Sequence, residues 1–340
     1  MFCPQHASLF LKIMKKLLLL IILITYSTSV FSQLFVRPNP TSSTDSYVYV
    51  SDEILFVEQD VELEVNTNNA DTRASIYLRD EGQLIQGATA SDNSGTGMLS
   101  VQQNNPGSDA WDYTYWCAPV GAQYLGGGSA GNKNYSIQRI FESTGLTSAT
   151  NSGFTTSYNG FNDPKLTISK RWIYTHTAPG TEAEGAYQHV GQWHNIPPGY
   201  GFTMKGVNNG TTIPNGAGSG AGNHDQNYDF RGRPNNGTFN YTVGENLMTL
   251  VGNPYPSAID MADVVMDNPN VSTIWYYDED REIDSHYYTD KRYGYGSWVP
   301  SGGASILAAD GGGTTGSYAA PTFREYDASG GTGGGGTGGT

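Results

Sequence analysis

The sequence predicts an all-β protein: an antiparallel β-sandwich-like body with a short N-terminal strand layer and one short helix. Three observations carry that expectation. Val61-Glu-Leu-Glu-Val65 alternates strictly, Phe239, Tyr241 and Val243 alternate with Thr238, Asn240 and Thr242, and Trp172 with Tyr174 alternates against Arg171 and Thr175. A period of two is that of half-buried strands. Further short runs at 47–50, 54–57, 75–78, 98–101, 201–205 and 274–277 are punctuated by Gly, Asn, Asp and Pro, as in sandwiches and barrels. Two blocks, Tyr115-Trp-Cys-Ala-Pro-Val-Gly121 and Leu250-Val-Gly-Asn-Pro-Tyr-Pro-Ser-Ala-Ile-Asp260, each drive such a run into a proline turn.

Taken in order, residues 1–32 read as a secretory signal peptide, with Lys15 and Lys16 ahead of the apolar run Leu17 to Ile24 and the small-residue stretch Ser27 to Ser32 before Gln33. Met14 is the expected start. The apolar run is far shorter than the roughly 20 residues that span a bilayer, so no membrane insertion is expected once the leader is removed. Residues 34–110 are expected as an N-terminal β region, either a small sheet layer or a few solenoid-like rungs. Residues 111–300 carry most of the Trp and Tyr and are expected to hold an aromatic-rich β-sandwich domain. Within it, Asp260 is placed to cap a helix running to Met266, with Met261, Val264 and Val265 on one face and Asn268-Pro269 as its stop. Residues 301–340 turn glycine-rich and read as a flexible tail or linker, so the chain is expected to be cut short. A weaker echo, Trp116 with Trp172-Ile-Tyr174 and Asn253 with Trp275-Tyr-Tyr277, hints at duplication.

Composition narrows the function classes. The 340 residues hold 32 acidic and 18 basic side chains, a formal net charge of −14. Loss of the leader removes Lys12, Lys15, Lys16 and Cys3, which makes the remainder more acidic and leaves Cys117 as its one thiol. Such a chain makes no internal disulfide and must rely on core burial. Its charge repels phosphate backbones and anionic lipid, so nucleic-acid partners are not expected.

The blocks Ser75-Ile-Tyr-Leu-Arg-Asp-Glu-Gly-Gln-Leu-Ile-Gln-Gly87, Asp112 to Gly121, Lys170-Arg-Trp-Ile-Tyr174, Ile196-Pro-Pro-Gly-Tyr-Gly-Phe-Thr-Met-Lys-Gly206, Tyr228-Asp-Phe-Arg-Gly-Arg-Pro234 and Val251-Gly-Asn-Pro-Tyr-Pro-Ser-Ala258, in that order, cover most of 47–300. Together they resemble large secreted surface proteins of flavobacteria and other Bacteroidota that leave the cell by the type IX secretion route. The resemblance implies a secreted or cell-surface location and an adhesin-like role without assigned activity. Those proteins continue into further β structure and a C-terminal sorting domain. This sequence lacks that continuation, so a periplasmic location is the expectation if the sorting domain is truly absent.

Candidate chemistry is sparse. Trp111, Tyr113 and Tyr115 share one strand face, which makes them either core or a platform for sugar rings; core is the leading reading, because large aromatics dominate sandwich interiors. Tyr276, Tyr277, Tyr287, Tyr288, Tyr293 and Tyr295, close to Trp298, form a second aromatic stretch rich in Gly; the composition is usual in contact surfaces, and loop packing is the leading reading. Asp278, Asp280, Glu282 and Asp284 concentrate hard oxygen ligands of the kind Ca²⁺ takes. Ile283 stands where an EF-hand loop needs glycine and Arg281 lies among the acids, so a solvated acidic turn is favoured. Gly127-Gly-Ser-Ala-Gly131 and Gly311 to Gly316 match nucleophile-elbow and dinucleotide patterns without the strand and helix that give those patterns meaning. The five histidines after the leader show no zinc spacing, and Cys117 reads as a buried small hydrophobe.

The expected function is therefore a secreted or surface structural, adhesin-like module that is not an enzyme. The alternative is a carbohydrate-binding, lectin-like module, with Ca²⁺ the one cofactor considered. A secreted polysaccharide-degrading enzyme ranks last, because no carboxylate pair stands out. The expected partner is an extracellular surface component or a glycan.

Overall fold

The computed structural model describes residues 15–16, 33–39, 45–65, 73–105, 107–122, 131–176, 186–210, 226–245, 247–271, 273–300 and 316–325. The leader, apart from Lys15 and Lys16, the two glycine-patterned motifs apart from Gly131 and Gly316, and most of the tail lie outside these residues.

Within them the molecule is all-β with one α-helix. Its N-terminal part is a coil of parallel strands, which realises the solenoid-like alternative. β1 (Leu34–Val36), β2 (Val48–Ser51) and β3 (Ile54–Val57) form the first turn, and β4 (Val61–Leu63), β5 (Ile76–Arg79) and β6 (Gln83–Gln86) form the second. β7 (Ser94–Gly95) and β8 (Leu99–Asn104) begin a third. Each strand pairs in parallel with its counterpart one turn on: β1 with β4 and β4 with β7, β2 with β5 and β5 with β8, β3 with β6. The antiparallel pairing expected of these runs is corrected here. Alternation specifies which face of a strand is buried, whereas direction is set by the turns, and these turn the chain around a common axis instead of reversing it. Val61, Leu63, Ile76, Leu78, Leu84 and Leu99 point inward along the coil and are at most 2% exposed.

Beyond β8 the pairing is chiefly antiparallel. β22 (Asn227–Pro234) pairs with β8, β12 (Ile140–Ser143) with β22, and β13 (Ala149–Asn151) with β12, while β10 (Val120–Gly121) pairs with the end of β22. The parallel face of the coil thus runs without a break into an antiparallel ladder, a seven-stranded mixed sheet. A second sheet, β9 (Tyr113–Trp116), β20 (Phe202–Lys205), β17 (Tyr174–His176) and β18 (Tyr187–His189), packs against it. Trp116 from the second sheet meets Tyr228 and Phe230 of β22 at ring distances of 5.1 and 5.9 Å, the inter-sheet contact of a sandwich. A third sheet of β14 (Gly153–Thr155), β16 (Leu166–Ser169), β15 (Gly160–Asn162) and β21 (Val207–Asn208) adds Leu166, Ile168 and Val207 to the same core, and β11 (Tyr135–Ser136) pairs with β19 (Asn195–Ile196). One buried cluster extends from Val36 in the first coil turn to Phe230 in the body, so the regions on either side of residue 110 share an interior.

The helix forms where expected, as α1 (Met261–Asp267), with the Asp260 side chain accepting from the Ala262 N–H. It covers β23 (Ile274–Glu279) and β24 (Arg292–Pro300) through a small separate core of Ala262, Val265 and Trp298. Part of the segment expected as tail adds to this sheet: β25 (Gly316–Ala319) and β26 (Arg324–Glu325) both pair with β24. The alternation at 238–243 does not make a strand. Its aromatic rings instead dock onto proline turns: Tyr241 lies 5.3 Å from Tyr200 and its hydroxyl donates to the Pro198 carbonyl at 3.1 Å. Gly199 sits beneath that hydroxyl at φ +78, where an added Cβ would overlap the Tyr241 oxygen.

Candidate functional site

The proline blocks converge before any chemistry begins. Gly201 N–H donates to Leu250 O and Gly252 N–H to Gly199 O, which joins the Pro197-Pro198-Gly199 turn to the second block. Cys117 of the first block packs directly on Gly252. The Asn235 amide then donates to the carbonyls of Ala118 and Pro254 at 3.4 and 3.0 Å, bridging both blocks. Pro256 O accepts from Leu84 N–H and the Ala258 N–H donates to Gln83 Oε1, so the second block covers the outer edge of β6. These motifs tie coil to body. The Asn253-Pro254-Tyr255-Pro256 turn holds no cis peptide bond, and one lies at Asp163–Pro164.

Aromatic and ionisable groups gather where the β23–β24 hairpin lies on β9. Tyr113 and Tyr115 alternate on one face of β9, and Trp111 sits in the turn just before it. Tyr277 stacks on Tyr115 at 4.7 Å with nearly parallel planes, and Tyr293 stacks on Tyr277 at 6.2 Å. The loop between β23 and β24 inserts His286 between two tryptophans, 4.3 Å from Trp111 and 5.0 Å from Trp172. His286 Nε2 also bonds to Asn159 Oδ1, and Tyr158 closes the group at 5.4 Å from the imidazole. Beneath these rings, Lys205 Nζ lies 4.6 Å from the Tyr113 ring and 4.7 Å from the Trp172 ring and donates to Trp111 O at 2.7 Å. Cation–π contact of this kind stabilises an ammonium removed from water.

Three further charged groups anchor the hairpin. Lys291 donates to Asp112 Oδ1 at 2.7 Å and lies 3.9 Å from Glu279, whose carboxylate accepts from the Tyr113 N–H and, at 2.9 Å, from the Tyr277 hydroxyl. Asp112, Glu279 and Lys291 are all buried. Burial raises the Glu279 pKa, with Lys291 opposing, and lowers that of Lys205 to about 8, with Glu279 opposing. His286 is held down to about 4 by desolvation and then by Lys205. Burial pushes Tyr113, Tyr115 and Tyr277 well up, so all three stay protonated at neutral pH. The cluster is a clamp of mutually satisfied groups: each charge faces an opposite charge, a ring or a carbonyl.

The sequence-derived candidates divide accordingly. Trp111, Tyr113, Tyr115 and Tyr293 come together through the hairpin, part-buried and stacked on protein rings. Tyr287 stands apart at 70% exposure. Trp298 is corrected: at 5% exposure it is core beneath α1 and presents no ring to a ligand, because it falls on the same face of β24 as Gly294 and Gly296 while Tyr293 and Tyr295 fall on the other. Asp278, Asp280, Glu282 and Asp284 do not converge as Ca²⁺ ligands. Asp280 pairs with Arg292 and accepts from the Glu282 N–H, Asp278 pairs with Arg281 at 3.8 Å, and among the described residues no three acidic, histidine or cysteine groups are placed to hold a metal ion. Residues the sequence did not nominate, Trp172, Tyr158, Lys205 and His286, complete the cluster, together with Tyr277 of the second aromatic stretch. They come from separate segments, and only the register of β9 with β20 and the fold-back of the hairpin unite them.

No curated protein and no solved structure matches the chain. Residues 33–299, the coil, the body and the hairpin together, match the model of the family described as Domain of unknown function (DUF8693), and the chain belongs to that family.

Proposed function

We propose that this chain is a secreted or cell-surface structural module with an adhesin-like role and no catalytic activity, exported by the type IX route. The observation that carries the reading is the shared core, which joins a parallel coil to a sandwich without a linker and makes a stiff unit suited to bearing contacts at a surface. The clamp adds support, since its ionisable groups are engaged with one another in holding a hairpin in place. The leader-like first 32 residues and the six family-like blocks support export.

The test is retention and turnover on the same material. Beads carrying the full chain are flowed over bacterial, mucin and polysaccharide surfaces, and the eluates are assayed for new reducing ends. Retention above that of an inert all-β protein, with no new reducing ends, is the expected result. Release of reducing ends that scales with protein would replace the module with an enzyme, and retention no greater than the control would remove the adhesive role.

A second reading, a lectin-like module, is favoured by a polar cleft between the coil and the body.

A further inference from the structure

An open cleft of about 300 Å³ lies between β6 of the coil and the two segments that cross it, Asn235–Thr238 and Tyr255–Ser257. Its floor is Leu84, Ile85 and Pro256, one wall is the half-buried Tyr255 ring, and its rim carries Thr89, Thr238 and Ser257. Among the described residues those three hydroxyls make no side-chain hydrogen bond. At the back stands Asn235, 2% exposed. Its Nδ2 is fixed by the Ala118 and Pro254 carbonyls, which sets the direction of the amide, and its Oδ1 has no partner among the described residues. A buried amide oxygen left without a donor is costly, and nearly all such atoms in folded proteins are paired. The cleft therefore offers a rim of free hydroxyls and an aromatic wall, with the unpaired Asn235 oxygen buried behind its lining.

What lines the cleft also limits what fits. Among the described residues no charged side chain takes part, so nothing there matches a phosphate, a carboxylate or an amine. The volume is at the lower end of small-molecule pockets, enough for one or two sugar rings. Ile85 continues the floor outward to Phe56, its register partner on β3, which is 62% exposed. Ile54, 58% exposed, extends the same outward face. Sugar rings present hydroxyls at their edge and C–H groups on their face, and this site pairs donors and acceptors with an adjoining apolar strip.

We propose that this cleft binds a neutral glycan, one ring held by the rim hydroxyls and Tyr255 and the next lying over Ile85 and Phe56. The ligand is bound and not cleaved, which is the one respect in which the inference rests on the non-catalytic reading above.

The experiment is calorimetric titration of the full chain with neutral oligosaccharides of glucan, mannan, galactan and chitin type and with oligogalacturonate. One or more neutral oligosaccharides bind and the uronate does not. Thr238→Phe, which fills the cleft from an exposed position, and Phe56→Ala, which removes an exposed ring, each weaken that binding at least about tenfold, readily separated from the parent Kd. Tyr287→Ala, outside the cleft, leaves it unchanged. Melting temperatures close to that of the parent keep a loss of binding distinct from a loss of fold. Absence of neutral-glycan binding at millimolar concentration, binding of the uronate alone, or full affinity in Thr238→Phe would each overturn the site while leaving the module reading intact. New reducing ends in the titrated sample, with binding still lost in Thr238→Phe, would keep the site and overturn the module reading.

Discussion

Replacing Asp229 by Asn tests how the parallel and antiparallel parts of the large sheet are joined. Arg79 on β5, Ser100 on β8, and Asp229 and Arg231 on β22 lie side by side on the face turned away from the main core, and all four are at most 2% exposed. Asp229 receives the Arg231 guanidinium at 2.8 and 3.0 Å and the Ser100 hydroxyl at 2.6 Å, with Arg79 at 3.7 Å. Burial lowers the Arg79 pKa, and Asp229 is the group that most opposes this. Asparagine keeps the shape but leaves two buried guanidinium groups facing a neutral amide. Removing one partner of a buried ion group costs about 3–5 kcal/mol. With a urea dependence near ~3 kcal/mol/M, the unfolding midpoint should fall by about 1–2 M, followed by tryptophan fluorescence. A triple variant, Arg79→Met with Asp229→Leu and Arg231→Met, removes all the charges together and should recover most of that loss, because a well-packed apolar replacement of a buried ion group is often neutral. A shift below about 0.3 M for Asp229→Asn, or a triple variant worse than the single, would refute the claim that uncompensated charge governs this seam.

Three other outcomes follow from the site and the proline knot. The unfolded chain takes up a proton on His286 at the ordinary 6.5 while the folded chain resists it until about 4, so this contribution is whole above pH 6.5 and is lost as pH falls toward 4. Thermal melts of His286→Gln should accordingly lose less stability between pH 7 and pH 5 than the parent, and equal losses would disprove the assignment. Desolvation holds the Cys117 thiol up to about 12, which leaves less than about one thousandth as thiolate at pH 8.5. Iodoacetamide should label it only after unfolding, and stoichiometric labelling of native protein within minutes would show an open thiol. Gly252→Ala would place a methyl 2.4 Å from the Cys117 Cβ and should cost about 1–3 kcal/mol in chemical denaturation, relieved by adding Cys117→Gly.

Much of the secondary structure was legible because it depends on near neighbours. The cap at Asp260, the apolar contacts of α1 and the alternation of β4 and β9 need only a few residues of context. The parallel coil was legible as an alternative only, since the pairing of Val48 with Ile76 or Leu55 with Leu84 depends on turns of unequal length. Tyr228-Asp-Phe-Arg231 alternates as a half-solvated strand does, yet Asp229 and Arg231 are buried because they neutralise each other under the loop that places Leu146 O against Arg79. The shared face of Tyr113 and Tyr115 was visible in their spacing, but His286 lies far along the chain and no local pattern ties it to Trp111 or Trp172. Trp298 stood between packing and contact for the opposite reason: a glycine-flanked aromatic fits either role until α1 is laid over it. The cleft at Asn235 left no mark in the sequence beyond two prolines and an asparagine.

The order in which this chain closes its ladders bears on how it folds as it is synthesised. Each coil turn pairs with the turn just before it, so β1 to β8 can assemble as the N-terminal segment emerges. β8 is different: its outer edge is met by β22, with Ser100 and Asp229 129 positions apart. Until that distant strand arrives, a finished coil would end in a naked row of backbone donors and acceptors, the kind of edge that recruits other chains. Closing so long a loop is slow relative to local pairing. The vulnerable species during maturation is therefore a half-built molecule with β8 uncovered, and the window for self-association ends when β22 docks.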